Sequence, residues 1–185
     1  APEIAFSRQR CIGAGLCVAA CPTGAVDLTL PGRIRRDLCT RCGACAAACP
    51  TGALRIIGKA YEPEELAEVL LRDTPYYQSS HGGVTLSGGE PPMYPRYVES
   101  LLRLLKAKQI HVALETGGHF GYESFQTHIL PCVDLIYYSL KIADPAAHRL
   151  HIGQSNDLII ENLHRLMREP RVQVEALIPL IPGVT

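Results

Sequence analysis

The sequence predicts an α/β protein in two parts: a cysteine-rich module over residues 1–58, then a partial parallel (β/α) barrel over residues 59–185. Three observations lead there. Seven of the eight cysteines lie within the first 49 residues, in a pattern that occurs twice. Beyond residue 58, apolar runs of strand length alternate with helical periodicity. Each of the first three of these strand-like runs ends in glycines, hydroxyls or a charged group.

The 185 residues suffice for one ordinary domain, or for a small module joined to part of a larger one. With 47% hydrophobic and 19% charged residues the chain can bury a core. Eighteen basic against 18 acidic residues leave a formal net charge of +0, so no nucleic-acid partner is indicated; phosphate neutralisation needs a clustered cationic surface. No apolar run approaches the ~20 residues of a membrane helix, and no secretory n-region and h-region open the chain. A membrane is therefore not expected, and the cytoplasm is the expected compartment. Cysteine density without an export signal argues for metal rather than disulfides. The chain opens Ala1-Pro2-Glu3 and closes Pro182-Gly183-Val184-Thr185 after an apolar run, which reads as a segment of a longer protein.

Cys11, Cys17, Cys21 and Pro22 recur at a constant offset as Cys39, Cys45, Cys49 and Pro50, and Cys21-Pro-Thr-Gly-Ala-Val is answered by Cys49-Pro-Thr-Gly-Ala-Leu. This module resembles the bacterial two-cluster ferredoxins. Its second copy is complete, Cys39-x2-Cys42-x2-Cys45-x3-Cys49-Pro50. Three thiolates on a tight loop reach three irons of one cubane, Gly43 and Ala44 let backbone N–H groups approach sulfur, and the fourth cysteine serves the other cluster. One cluster is thus expected on Cys39, Cys42, Cys45 and Cys21, and the other on Cys11, Cys17 and Cys49. The stretch Ala46-Ala47-Ala48 suits a short helix packed against the clusters.

Ala14 stands where the repeat calls for cysteine and offers no donor atom. The first cluster is then three-iron, a cubane with an exogenous fourth ligand, or absent; a surviving but labile cluster is the favoured expectation. The competing readings of the cysteines are zinc and disulfides. Zinc sites take paired ligands well separated in sequence, not a run as close as Cys39, Cys42, Cys45 and Cys49 with proline directly after it. Cys132, in Leu130-Pro131-Cys132-Val133, is expected to be a buried structural thiol.

In the second part, Glu62-Pro63-Glu64-Glu65 opens a helix with Leu66, Val69 and Leu70 on its apolar stripe. A strand is expected over 83–87, a helix through Val98, Leu101, Leu102 and Leu105, and a strand over 111–114. A helix over 122–129, a strand over 133–138, a helix over 158–167 and a strand over 172–178 follow. Such alternation argues a parallel sheet with crossover helices. A complete barrel of this type takes about 250 residues, so only part of the arc is present.

Ligands of parallel α/β sheets bind beyond the carboxyl ends of the strands. The first strand is followed by Ser87-Gly88-Gly89-Glu90, the second by Glu115-Thr116-Gly117-Gly118 and the third by Ser139-Leu140-Lys141. Two glycines admit a ligand to the backbone and Glu90 accepts from an ammonium. Carboxylates, hydroxyls and a lysine together suit a zwitterionic ligand such as an amino acid.

The chain as a whole resembles the central part of a glycyl-radical-enzyme activating enzyme, of the radical S-adenosylmethionine family that includes pyruvate formate-lyase activase. The landmarks are the ferredoxin-like insert, Val84-Thr-Leu-Ser-Gly-Gly-Glu90, Leu114-Glu-Thr-Gly-Gly118, Tyr138-Ser-Leu-Lys141, Asp144-Pro-x3-His148, Asn156-x5-Asn162-Leu163 and Ile181-Pro-Gly183. The resemblance implies S-adenosylmethionine as cofactor, with Gly88, Gly89 and Glu90 at its amino group and Ser87 among the residues that bind it. It places Glu115 and Thr116 near the carboxylate around a monovalent cation, and Ser139 and Lys141 on the same face. Ser139 stands where the family usually has an acid, and Leu177 where it often has a base. The family's Cys-x3-Cys-x2-Cys triplet, which holds the cluster that cleaves the cofactor, does not occur among these residues. The expectation is that this segment carries no catalytic residue and is inactive alone.

For the parent protein the resemblance implies a flavodoxin or ferredoxin-type reductant, a 5′-deoxyadenosyl radical, and hydrogen removal from a backbone glycine of a partner enzyme. The rival from another class is an electron-transfer protein on a non-catalytic α/β scaffold. Nucleotide hydrolysis has no Gly-x4-Gly-Lys-Ser/Thr to support it. His148 and His151 are expected to be exposed rather than metal-bound, Arg33, Arg35 and Arg36 to form a solvated turn, and Tyr76-Tyr77 to pack the first helix on the sheet.

Overall fold

The cysteine repeat reappears as backbone symmetry. The computed structural model describes residues 2–184, which divide into two compact units between Ala60 and Tyr61; the sequence reading places that boundary after residue 58. In the first unit β1 (Glu3–Phe6) pairs antiparallel with β2 (Leu54–Ile57), Phe6 facing Leu54. A single bridge joins Val26 to Ile34. Moved forward by the offset that relates the two cysteine loops, Phe6 becomes Ile34; moved back by it, Leu54 becomes Val26, so the bridge is the same pair again. The start of each copy therefore pairs with the end of the other. Helices α1 (Leu16–Ala19) and α2 (Ala44–Ala47) are related by the same offset, and the glycine before each, Gly15 at φ 74° and Gly43 at φ 82°, takes the left-handed conformation that glycine adopts without a Cβ penalty. Ile4, Val26, Ile34, Cys45 and Leu54 form the buried centre.

The second unit begins with α3 (Pro63–Leu71), whose first turn carries Glu64 and Glu65, and α4 (Thr74–Ser80). There follow β3 (Gly83–Leu86), α5 (Pro95–Ala107), β4 (His111–Thr116), α6 (Tyr122–His128), β5 (Leu135–Ser139), α7 (Pro145–Ile152), α8 (Asp157–Leu166) and β6 (Gln173–Leu177). The four strands form one parallel sheet in the order β3-β4-β5-β6. The apolar stripe of α5, Val98, Leu101, Leu102 and Leu105, packs with Val112, Leu114 and Ile136 in a single core. No helix among the described residues is long and apolar enough to cross a membrane.

Several local expectations are corrected. His148 is buried at 3% exposure, because it lies on the inward face of α7 with Nδ1 2.8 Å from the Gln154 carbonyl; His151 is exposed. Tyr77 packs on the core and donates its hydroxyl to the Leu70 carbonyl, while Tyr76 points to solvent. Cys132 is half-buried, and desolvation pushes its thiol up. Of the three arginines, Arg36 pairs with Glu3 and Arg33 lies over the Phe6 ring. Sequence pattern alone does not give strands β1 and β2 or helices α4 and α7. Thr-Pro-Tyr-Tyr-Gln-Ser-Ser of α4 has one good helix former, Gln78, and no clear apolar stripe, so its packing makes it helical.

Asp134 ties these layers together. Its Oδ2 accepts from the Val112 amide at 2.8 Å, and both oxygens accept from Lys106 Nζ on α5. Burial works to raise this carboxyl, but Lys106 and the Val112 amide outweigh it and hold it below the usual range. A depressed carboxyl stabilises the fold fully above the ordinary carboxylate range, and that contribution disappears as pH falls through the folded value. Asp134→Asn is expected to lower unfolding free energy by about 1 kcal/mol at neutral pH, the pair being partly screened, and to flatten the acid limb of the stability curve. Urea denaturation across pH measures both.

Candidate cofactor sites

The backbone symmetry of the first unit divides its thiols between two cavities. Cys21, Cys39, Cys42 and Cys45 line one, with Ile4, Val26 and Ile34. Cys11, Cys17 and Cys49 line the other, which also includes Ala14 and Arg33. Each cavity draws on both copies because the cysteine before each proline leaves its loop toward the opposite half. The Ala25 amide donates to Cys21 Sγ at 3.2 Å and the Leu54 amide to Cys49 Sγ at 3.4 Å. The Leu54 amide is the main cause that brings Cys49 down to about 7. Burial works to raise Cys21, but hydrogen bonds from Thr23, Val26 and Ala25 outweigh it and the net shift is downward. Desolvation pushes Cys45 up, and the neighbouring Cys21 adds to this. The donors ring their cavities; among the described residues no three His, Cys, Asp or Glu side chains converge on a point where one ion could sit. Thiolates around an apolar cavity, with N–H groups aimed at sulfur, fit a polynuclear iron–sulfur cage.

In the second unit, parallel pairing sends the ends of β3, β4 and β5 to one edge of the sheet. Ser87, Gly88, Gly89, Glu90, Glu115, Thr116, Ser139 and Lys141 line a single cleft there, with Gly117, around about 260 Å³ of space. That volume lies just under the ~300–1,000 Å³ of drug-sized ligand sites. Glu90 is clamped: Thr116 Oγ1 donates to Oε1 at 2.5 Å and the Gly117 amide to Oε2 at 3.0 Å. Each oxygen keeps a second lone pair for a ligand donor. Ser87 Oγ donates to Glu115 Oε2 at 2.9 Å, and Lys141 Nζ to Ser139 Oγ at 2.5 Å. Thr116 and Ser139 are buried at the strand ends, whereas Ser87, Glu115 and Lys141 are exposed. The cleft thus offers carboxylates on the β3 and β4 side and an ammonium on the β5 side.

Residues that sequence reasoning left without a role hold this cleft in shape. Asn162 on α8 is fully buried and donates from Nδ2 to the carbonyls of Gly118 and Phe120, fixing the loop after β4. Asn156 does the same after β5, donating to Ile142 and Ala143. Gly118 adopts φ 83°, and a Cβ there would overlap the hydroxyl of Tyr138, which donates to the Ile159 carbonyl. The two asparagines are legible in the sequence only as landmarks of a resemblance, since their partners lie 13 to 44 residues away.

The family profile "Radical SAM superfamily" matches residues 39–185. The chain belongs to that superfamily. A second profile, "4Fe-4S dicluster domain", matches residues 10–53 of this radical SAM chain. Among its relatives is the indoleacetate decarboxylase activating enzyme of Tractidigestivibacter scatoligenes, 33% identical over all of this chain and 61% of that protein. Another is the trans-4-hydroxy-L-proline dehydratase activating enzyme of Clostridioides difficile, 36% identical over 98% of this chain and 60% of that protein. A solved domain of a pyruvate-formate lyase-activating enzyme from Bacteroides vulgatus superposes with TM-score 0.50 at 30% identity, over 56% of this chain and 63% of that one. The radical SAM chain described here spans about six-tenths of the length of such relatives.

Asn162→Ala leaves two buried carbonyls of the β4 loop without their donor. A loss of about 2–3 kcal/mol in unfolding free energy is expected, with faster amide hydrogen exchange at Gly117 and Gly118 than in β5.

Proposed function

We propose that this chain is the auxiliary-cluster module and part of the S-adenosylmethionine barrel of an activating enzyme that installs a glycyl radical on a partner enzyme. The observation that carries the proposal is the convergence of Glu90, Thr116, Ser139 and Lys141, from three successive strand ends, on one cleft. The names of the relatives, all activating enzymes, support the same reaction class.

In this reading the backbone at Gly88 and Gly89 and the free lone pairs of Glu90 receive the ammonium of the methionine moiety. Lys141 turns from Ser139 to its carboxylate, with Glu115 and Thr116 at the rim where a monovalent cation would add to the site. Ser139 is neutral, so it leaves the Lys141 charge available to the ligand rather than consuming it in an ion pair. When a reducing cluster is present, S-adenosylmethionine supplies a 5′-deoxyadenosyl radical able to take hydrogen from a glycine of the partner. Cys21, Cys39, Cys42 and Cys45 are the ligands for a [4Fe-4S] cluster. Cys11, Cys17 and Cys49 hold a [3Fe-4S] or labile [4Fe-4S] cluster. A flavodoxin or ferredoxin-type protein is the proposed reductant, and free thiolates suit the reducing cytoplasm.

The test is anaerobic reconstitution of the full-length protein with iron and sulfide, followed by iron counting and assay of 5′-deoxyadenosine. Two auxiliary clusters beside a catalytic one are expected, with 5′-deoxyadenosine formed under reduction. The 185-residue chain alone, without the Cys-x3-Cys-x2-Cys triplet, is expected to bind iron and release none. In the full-length protein Glu90→Gln is expected to weaken S-adenosylmethionine binding about tenfold by calorimetry, the worth of one charge-assisted hydrogen bond. Normal iron loading with no 5′-deoxyadenosine would point instead to an electron carrier.

A further inference from the structure

The two cavities of the first unit depart from their symmetry in two ways, both at the same cavity. Under the repeat offset, Ala14 corresponds to Cys42 and Arg33 to Ala5. The cavity of Cys11, Cys17 and Cys49 therefore has one thiolate fewer than its twin and, lining its wall, a guanidinium that the twin has no counterpart for. The complete cavity is bordered by Arg41, but that side chain is exposed.

Arg33 is held in place. It sits at φ 60°, its amide donates to the Leu30 carbonyl and its carbonyl accepts from the Asp27 amide. Its guanidinium carbon lies 5.5 Å from the centre of the Phe6 ring. Its Nε is buried and has no hydrogen-bond partner among the described residues. A buried cationic donor without an acceptor is costly, and this one lies along the wall where an anionic donor is missing. Apart from the thiols and Thr51 the rest of that wall, including Ile12, Leu16 and Leu28, is apolar. The space is larger as well, about 30 Å³ against about 10 Å³ for the four-thiol cavity.

We propose that Ala14 and Arg33 form a receiving site for a small exogenous thiolate at the open side of the first cluster. Ala14 withholds a protein donor and leaves room. Arg33 supplies positive charge and an N–H to the incoming sulfur. Thiolate fits better than carboxylate because iron–sulfur iron favours soft donors and the apolar wall would strip a carboxylate of its hydration. No electron is transferred in this step; the thiol gives its proton to solvent and sulfur donates a lone pair to the vacant position. Arg33 is a positioning residue here. The inference rests on the reading of the three-thiol cavity as a cluster site.

The experiment loads the protein anaerobically with iron and sulfide, removes added thiol, and titrates in 2-mercaptoethanol. EPR of the reduced clusters and Mössbauer spectroscopy follow the cluster of Cys11, Cys17 and Cys49, and acetate serves as the carboxylate comparison. A saturable spectral change with the thiol and none with acetate is expected. Arg33→Met should raise the half-saturating concentration about tenfold, Arg33→Lys should recover part of that loss, and Ala14→Cys should abolish the response. The unchanged spectrum of the four-thiolate cluster shows that each variant is folded. A wild-type spectrum that the thiol does not move, an equal response to acetate, or a titration unaffected by Arg33→Met overturns the proposal while leaving the cluster reading intact. Iron sufficient for only the four-thiolate cluster overturns both.

Discussion

Parallel hydrogen bonding between β3, β4, β5 and β6 is the constraint on which the second unit depends. Strands that run the same way deliver the loops beyond them to the same edge, however far apart these residues are in sequence. Leu86 lies beside Leu114, and Thr116 beside Tyr138, so Ser-Gly-Gly-Glu and Glu-Thr-Gly-Gly emerge side by side. Glu90 then joins the two loops through Thr116 and Gly117. The core beneath, from Leu102 to Ile136, keeps that register because a slip of one residue would turn each apolar side chain to the wrong face.

The first unit solves a different problem with a different symmetry. Two related copies of a cysteine loop can encircle two cavities only if the chain crosses from one half to the other, and the antiparallel pairings Phe6–Leu54 and Val26–Ile34 make that crossing. The thiol just before each proline is then presented to the opposite loop. With so few apolar residues in its centre, the module has little core of its own, and metal binding adds to folding free energy in such small domains.

Polar groups buried for shape form a third theme. Asn156, Asn162 and His148 each bond to a backbone carbonyl in a loop or turn, and Tyr138 to one in the first turns of α8. Their hydrogen bonds fix the backbone from which the cleft is made. Among the described residues the Oδ1 atoms of Asn156 and Asn162 are buried without a partner, as is Arg33 Nε, but of these only Arg33 carries a charge.

The cysteine spacing, the internal repeat and the alternation of apolar periods were enough, read as sequence, to establish a parallel α/β architecture behind a cysteine-rich module. These are local or periodic properties, and local chemistry dictates them. The sequence also named the strand-end residues, because the side chains of Ser87 to Glu90 and of Glu115 and Thr116 follow strands that period alone reveals. It could not tell that His148 is buried, that Tyr76 and Tyr77 face opposite environments, or that seven-residue α4 is helical. Those outcomes depend on which neighbour arrives from far along the chain. The bond from Asn162 to Gly118 spans 44 residues, and the approach of Arg33 to the wall that holds Ala14 is likewise non-local. Such pairings are decided by packing free energy summed over the whole fold, and no window of sequence contains that sum.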